Sequence, residues 1–127
     1  MKLRIKGSSL RLRLTQGEVS RLESGGEVAE QVQFGGGANL TYRLRTDTQN
    51  PEISASYGDN VIDIRVPREA ALTWSRTDQV TLSHAQRAGD AQLQIVIEKD
   101  WNCLAPRSDE DESDNFPHPE TGTGKVC

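Results

Sequence analysis

The chain alternates apolar and polar residues in short runs, and two of these runs follow nearly the same pattern. In Leu10–Leu14 and in Ile62–Val66 every second residue is apolar, which is the spacing of a half-buried strand. A short helical pattern and a further alternating run follow each of them. When residues 10–28 are shifted by 52 positions onto residues 62–80, six apolar positions fall on apolar positions. The pattern therefore predicts one strand–helix–strand unit that occurs twice.

Capping and turn residues separate the predicted elements. Thr15 followed by Glu18 is a capping box, which predicts a helix over Gln16–Ser24. In the second half Pro67 suits the first turn of a helix, and Arg68–Arg76 follow it. The alternating runs predict strands over Lys2–Lys6, Leu10–Leu14, Glu27–Phe34, Leu40–Arg45, Glu52–Tyr57, Val61–Val66, Gln79–His84 and Ala91–Lys99.

These elements predict a mainly β (α+β) fold. We expect a single barrel-like domain over residues 1–100, in which residues 1–46 and 53–98 are two ββαββ halves related by a pseudo-two-fold axis. Residues 101–127 lack the alternation and contain three of the five prolines. We therefore expect them to form an irregular tail, without which the body still folds.

Charge is distributed unevenly between the predicted body and the predicted tail. The chain has a formal net charge of −4. Residues 1–100 contain 13 Lys or Arg and 13 Asp or Glu, whereas residues 101–127 contain 2 and 6. The body is therefore neutral and the tail is acidic.

The basic residues of the strands are the candidate binding residues. Seven of them occupy alternating strand positions: Lys2, Arg4, Lys6, Arg11, Arg13, Arg43 and Arg45. If their strands are neighbours, all seven share one face, which is enough for several phosphate contacts. The alternative is an ordinary solvated outer face whose charges are balanced by carboxylates such as Glu27 and Glu30.

No catalytic or metal-binding signature accompanies these residues. The intervals between Cys103, His118 and Cys127 are 15 and 9 residues, which match no short-spaced zinc pair. Ser83 and His84 lack a third member and an oxyanion motif. We therefore predict no metal, no cofactor and no catalytic residue. We expect a protein that is not an enzyme, although an active site assembled only in three dimensions leaves no such trace.

The apolar runs are too short to cross a membrane, and Lys2–Lys6 do not have the pattern of a signal peptide. We therefore expect a cytoplasmic protein without a membrane partner. In that compartment Cys103 and Cys127 are expected to be free thiols.

One segment resembles a known family. In Gly58–Ala70 an alternating strand runs through a proline into a short helix, and Asp78–Leu82 and Leu93–Ile97 follow as a hairpin. This arrangement resembles the AbrB-type swapped-hairpin barrel, in which two units from two chains interleave into one barrel. The resemblance implies that residues 1–46 are a second unit fused into the same chain. The first half departs from the pattern, because Thr15 stands where the proline is expected.

The resemblance also bears on function, since members of the AbrB-type family are typically DNA-binding regulators or antitoxins. In length and ending the whole chain is similar to a small bacterial family of uncharacterised proteins, which implies no activity. We expect a non-enzymatic interaction module with an unidentified protein partner. The alternative is a DNA-binding regulator or antitoxin-like protein of the AbrB type. Its nucleic-acid binding is expected to be weak and salt-sensitive, because the body has no net positive charge and the tail carboxylates compete with phosphates.

Overall fold

The computed structural model describes residues 1–100 together with Asp114 and Phe116. These residues form eight strands and two helices, which confirms the prediction of a mainly β fold. The elements in chain order are β1 (Lys2–Ile5), β2 (Ser9–Leu14), α1 (Gln16–Glu23), β3 (Val28–Gly35), β4 (Ala38–Asp47), β5 (Ser54–Gly58), β6 (Val61–Pro67), α2 (Arg68–Arg76), β7 (Thr81–Ala88) and β8 (Ala91–Lys99).

The strands form two four-stranded sheets, and each sheet combines two hairpins. Sheet 1 has the order β1-β2-β8-β7, and sheet 2 has the order β3-β4-β6-β5. Within each sheet the two hairpins are antiparallel, and the two central strands pair in parallel. Leu12 of β2 lies beside Ile97 of β8, and Leu44 of β4 lies beside Ile64 of β6. Residues far apart along the chain are thereby brought together at the centre of each sheet.

The body is not a closed barrel, which corrects the expectation of a barrel-like domain. Among the described strands, no backbone ladder joins β5 to β7 or β1 to β3. Between β5 and β7 a side chain replaces the ladder. The Gln86 amide nitrogen donates to the Ala55 carbonyl at 2.9 Å, and the Ala55 amide donates to the Gln86 side-chain oxygen at 2.8 Å. The edges therefore approach each other without forming a continuous sheet.

The core lies between the inner faces of the two sheets and the two helices. Its buried apolar residues are Leu10, Leu12, Leu14, Val19, Leu22, Val28, Leu44, Ile53, Ile62, Ile64, Val66, Ala71, Trp74, Leu82, Ile95 and Ile97. Strand alternation directs one side chain in two inward, as the sequence pattern predicted for both halves. Trp74 is fully buried, and its indole nitrogen donates to the Val80 carbonyl at 2.8 Å.

Local capping fixes the two helices. The predicted capping box is confirmed: the Glu18 amide donates to the Thr15 hydroxyl at 3.4 Å, and the Thr15 amide donates to the Glu18 carboxylate at 3.0 Å. Helix α2 begins directly after Pro67 without a side-chain cap. The Arg68 guanidinium donates to the carbonyls of Leu22 and Glu23 at the end of α1. This side chain therefore satisfies two terminal carbonyls of the neighbouring helix.

Two residues of the predicted tail contact the body. The Gln16 amide donates to the Asp114 carbonyl at 3.0 Å, and the Gly17 amide lies 3.3 Å from the Asp114 carboxylate. The Phe116 amide donates to the Asp100 carbonyl at 2.7 Å, and its side chain packs against the core. The region predicted as an irregular tail is therefore in contact with the body at these two positions.

Replacing Leu12 with Ala should remove a central core side chain. Leu12 is fully buried, so Leu12→Ala is expected to lower the free energy of unfolding by about 2–5 kcal/mol because a cavity remains. Val32→Ala is the control, since Val32 is 39% exposed and should cost less than about 1 kcal/mol. Urea denaturation of both variants measures the difference. Equal losses would contradict the assigned core.

Candidate interaction surfaces on the outer sheet faces

The structure divides the seven predicted binding residues between two surfaces. Strand β4 pairs with β3 and β6, not with β1 or β2. The condition under which all seven would share one face, that their strands are neighbours, is therefore not met. The chain leaves sheet 1 after β2 and enters sheet 2 through α1 and β3, and this path separates the residues. The sheet 1 basic face comprises Lys2, Arg4, Arg11 and Arg13 of β1 and β2 together with Lys6, which directly follows β1, whereas Arg43 and Arg45 lie on sheet 2.

The sheet 1 basic face places like charges directly opposite each other. In the register of β1 with β2, Lys2 lies opposite Arg13 and Arg4 lies opposite Arg11. Such like-charge pairs destabilise a sheet. Glu98, from the neighbouring strand β8, accepts from Arg13 at 2.8 Å and from Arg11 at 3.2 Å. One carboxylate thus partly offsets the repulsion on β2.

The β1 side of this face is compensated less. Lys2 lies 3.3 Å from the Asp100 carboxylate. Within the described part of the chain, neither Arg4 nor Lys6 has an acidic partner, and both side chains are exposed. Arg4 and Lys6 are therefore the uncompensated positive charges of the sheet 1 basic face within the described residues.

Sheet 2 carries a second basic group, in which three arginines share one carboxylate. Asp63 accepts from Arg43 Nε at 3.1 Å, from Arg45 Nη2 at 2.8 Å and from Arg65 Nε at 3.2 Å. The Asp63 side chain is only 8% exposed. We call these four residues the arginine cluster.

Strand pairing explains the geometry of the arginine cluster. Arg43 of β4 lies beside Asp63 of the parallel strand β6, and Arg45 lies beside Arg65. All four side chains point away from the core because their strands alternate. Asp63 Oδ2 lies between the two neighbouring guanidiniums of Arg45 and Arg65 and accepts from both. The carboxylate therefore holds together three groups that would otherwise repel one another.

Asp63 is held in its ionised form. Its burial by itself would raise the pKa, but hydrogen bonds from Arg45, Arg43 and Arg65 outweigh that effect and lower the pKa below the ordinary value. The arginine cluster therefore carries three positive charges and one negative charge at neutral pH. Arg45 Nε is a buried donor without a hydrogen-bond partner among the described residues.

Two members of the arginine cluster, Asp63 and Arg65, were missed by the sequence prediction. The signal was an aspartate at the centre of an apolar strand, with an arginine two positions later. This signal could not be interpreted from the sequence, because Asp63 finds Arg43 and Arg45 only through the parallel pairing of β6 with β4, which no local pattern reveals. Arg43 and Arg45 were predicted as binding residues, but they lie with Asp63 and Arg65 on sheet 2 and not with the basic residues of β1 and β2.

Charge is segregated within the neutral body. Within the strands, eight basic residues lie at outward-facing positions: Lys2, Arg4, Arg11, Arg13, Arg43, Arg45, Arg65 and Arg87. By the same alternation, three acidic residues within the strands lie at outward-facing positions: Asp47, Asp63 and Glu98. Although the body has no net charge, the outer faces of sheet 1 and sheet 2 are therefore both positively charged.

Other candidate chemistry is not assembled in the described residues. Ser83 and His84 are adjacent in β7, so their side chains point to opposite faces. His84 Nε2 instead lies 3.5 Å from the Glu52 carboxylate. No group of three or more His, Cys, Asp or Glu side chains there could hold a metal ion. Cys103, His118 and Cys127 lie outside the described residues.

The fold defines a two-sheet α+β protein with basic outer faces. By sequence, the chain belongs to a family of unknown function, DUF7009, whose model matches residues 1–120. No curated protein and no solved structure gives a significant match to the chain. Neither helix of the described residues is long and apolar enough to cross a membrane, and the cytoplasmic location stays a prediction.

Removing the carboxylate of Asp63 should make the free energy of unfolding less dependent on pH in the acidic range. The folded-state pKa of Asp63 lies below its unfolded value of about 3.9. Its stabilising effect is therefore complete above that value and is lost as the pH falls through the folded-state pKa. We expect the wild type to lose more stability between pH 7 and pH 3 than Asp63→Asn does.

Asp90→Asn is the matched control, because Asp90 is an exposed residue of the β7–β8 turn. Urea denaturation at both pH values measures the free energy of unfolding. The control should follow the wild type within about 0.5 kcal/mol. If Asp63→Asn loses as much free energy of unfolding between pH 7 and pH 3 as the wild type does, the stabilising role of the ionised Asp63 is contradicted.

Proposed function

We propose that the protein is a non-enzymatic interaction module that binds an acidic partner protein through the sheet 1 basic face. The observation that carries the proposal is the cross-strand register, in which Lys2 lies opposite Arg13 and Arg4 lies opposite Arg11. This arrangement costs stability in the free protein. Carboxylates supplied by a partner would remove that cost, so binding and relief of repulsion act in the same direction.

The spacing of the sheet 1 basic face supports an extended acidic segment as the occupant. Alternate residues of a strand recur about every 6.7 Å, and neighbouring strands lie about 4.8 Å apart. Lys2 and Arg4 follow one another at this strand repeat along β1, the outer strand of sheet 1, and Lys6 comes directly after the end of β1. An extended chain with alternating carboxylates has the same repeat, so successive carboxylates can pair with the exposed Arg4 and Lys6. Because Arg4 and Lys6 are exposed, salt should strongly reduce their contribution to the free energy of binding.

The second candidate function is a DNA-binding regulator or antitoxin-like protein of the AbrB type. What favours it is the exchange of hairpins between the sheets: β1–β2 joins β7–β8, and β5–β6 joins β3–β4. A fused pair of swapped-hairpin units would exchange hairpins in this way. The segregated positive charge also favours contacts with phosphates.

As part of this candidate, we propose that residues 1–46 and 53–98 are two ββαββ halves related by a pseudo-two-fold axis. Strand registers support it. Leu3 opposite Leu12 and Ala55 opposite Ile64 differ by the same 52 positions. Superposing the two halves in an experimental structure tests this, and unequal connectivity would contradict it.

The second pair of hairpins keeps the same order with a small insertion. Val28 lies opposite Leu44, and Leu82 lies opposite Ile97. The offsets are then 54 and 53 positions, so Val28 corresponds to Leu82 and not to Val80, as the ungapped shift of the sequence predicted. Helix α2 is one residue longer than α1, and β7 begins one residue before Leu82, which together account for the difference.

Binding of the full chain to two polyanions distinguishes the candidates. The probes are a polyglutamate peptide and a short DNA duplex, each titrated at low salt and at about 0.2 M salt. The double variant Arg4→Gln/Lys6→Gln removes two exposed charges from β1. Arg21→Gln/Arg76→Gln makes the same change of charge on exposed helix positions.

We expect the peptide to bind at low salt and the β1 variant to weaken it by about tenfold or more, because two charge-assisted contacts are lost. The helix variant should change the affinity much less. DNA should bind more weakly than the peptide. DNA binding that persists at about 0.2 M salt would favour the regulator over the module. Absence of peptide binding at low salt would contradict the interaction module.

A further inference from the structure

The arginine cluster has more hydrogen-bond donors than its carboxylate can use. A guanidinium offers five N–H donors, and each of the three arginines gives one to Asp63. No other acceptor is bonded to these guanidiniums among the described residues. The side chains are also accessible, since Arg43, Arg45 and Arg65 are 33%, 35% and 44% exposed. Asp63 therefore holds the three guanidiniums together and leaves most of their N–H donors available to a ligand.

The residues around the arginine cluster leave room for a ligand. On the flanking strands Ala29 lies beside Arg43, Ser54 lies beside Arg65, and Ser56 lies beside Asp63. These side chains are small, and the two serines add hydroxyl groups that can donate to an oxyanion. A ligand above the cluster therefore meets guanidinium and hydroxyl donors, with small side chains at these three flanking positions.

Asp47, a further acidic residue on the outward face of β4, accepts a hydrogen bond from a backbone amide. Asp47 follows Arg45 by two positions on the same face of β4, and its Oδ1 accepts from the Gln49 amide at 2.9 Å. It ends the strand and organises the β4–β5 loop. The cluster, with three guanidiniums and one buried carboxylate, therefore keeps a surplus of two positive charges.

We propose that the arginine cluster is a binding site for a phosphate dianion, either inorganic phosphate or a phosphate monoester. A phosphoryl group carries about −1.5 to −2 charges at neutral pH, which matches the surplus of two. Guanidiniums bind phosphate oxygens in a bidentate fork, which an ammonium group cannot do. The site lies on sheet 2, so the proposal does not depend on the function proposed for the sheet 1 basic face.

Asp63 sets how the phosphate is bound. Its two oxygens occupy the donors that face the centre of the cluster, so a phosphate must engage the outward-facing nitrogens. Replacing Asp63 with Asn removes the internal counter-charge and leaves three positive charges. The variant should then be less stable in chloride and should bind phosphate more tightly than the wild type, because phosphate takes over the role of the carboxylate.

Binding of phosphate to the full chain is measured by calorimetry and by the arginine Nε–H resonances at pH 7.5. Sodium chloride at the same ionic strength is the reference. Methyl phosphate and dimethyl phosphate separate a monoester dianion from a diester monoanion such as a nucleic-acid backbone. We expect inorganic phosphate and methyl phosphate to bind in preference to dimethyl phosphate and chloride.

Variants connect the binding to the cluster. Arg65→Gln should weaken phosphate binding by about tenfold. Arg65→Lys should also weaken it, although the charge is retained, because the fork is lost. Arg87→Gln is the control, since it removes one exposed arginine from the other sheet, and it should leave binding unchanged.

The Asp63→Asn variant adds an independent thermal readout. Phosphate should restore its melting temperature beyond the effect of chloride at equal ionic strength. The proposal is overturned if phosphate and chloride act equally on the wild type, or if Arg65→Gln and Arg87→Gln weaken binding to the same extent. A preference for dimethyl phosphate would overturn the assignment to a dianion.

Discussion

The parallel pairing of β2 with β8 and of β4 with β6 is the constraint on which the rest of the structure depends. Each of the four hairpins is formed by residues close in sequence, and an isolated hairpin is only marginally stable in water. Each parallel pair joins two of these hairpins into one four-stranded sheet. Leu12 then meets Ile97, and Leu44 meets Ile64, so four-stranded sheets with continuous apolar inner faces can close over one core.

The same pairing determines the electrostatics of both outer faces. In each sheet the carboxylate that partly compensates the arginines comes from the parallel neighbour. Glu98 reaches Arg11 and Arg13 from β8, and Asp63 reaches the arginines of β4 from β6. Compensation is incomplete in both places, because one carboxylate serves two or three guanidiniums. A fold held together by distant strands thus leaves positive surfaces on a body without net charge.

Local features could be predicted from the sequence because local interactions cause them. The capping box of Thr15 and Glu18 and the alternation that buries Leu12 depend on neighbours within a few residues. The pairing of distant strands leaves no such trace. For that reason the sequence left open whether Arg43 shares a surface with Arg11, and it did not identify Asp63 as the partner of Arg43. The parts of the candidate sites that arise within one strand were predicted, and the parts that arise between strands were not.

We propose that like charges on the sheet 1 basic face repel one another in the free protein and lower its stability. A double-mutant cycle of Arg4→Gln and Arg11→Gln measures this repulsion most directly, since these residues lie opposite each other on β1 and β2. We expect a repulsive coupling in the free energy of unfolding of about 0.2–1 kcal/mol at low salt, which decreases as salt is added. A coupling of zero, or an attractive one, would contradict the proposal.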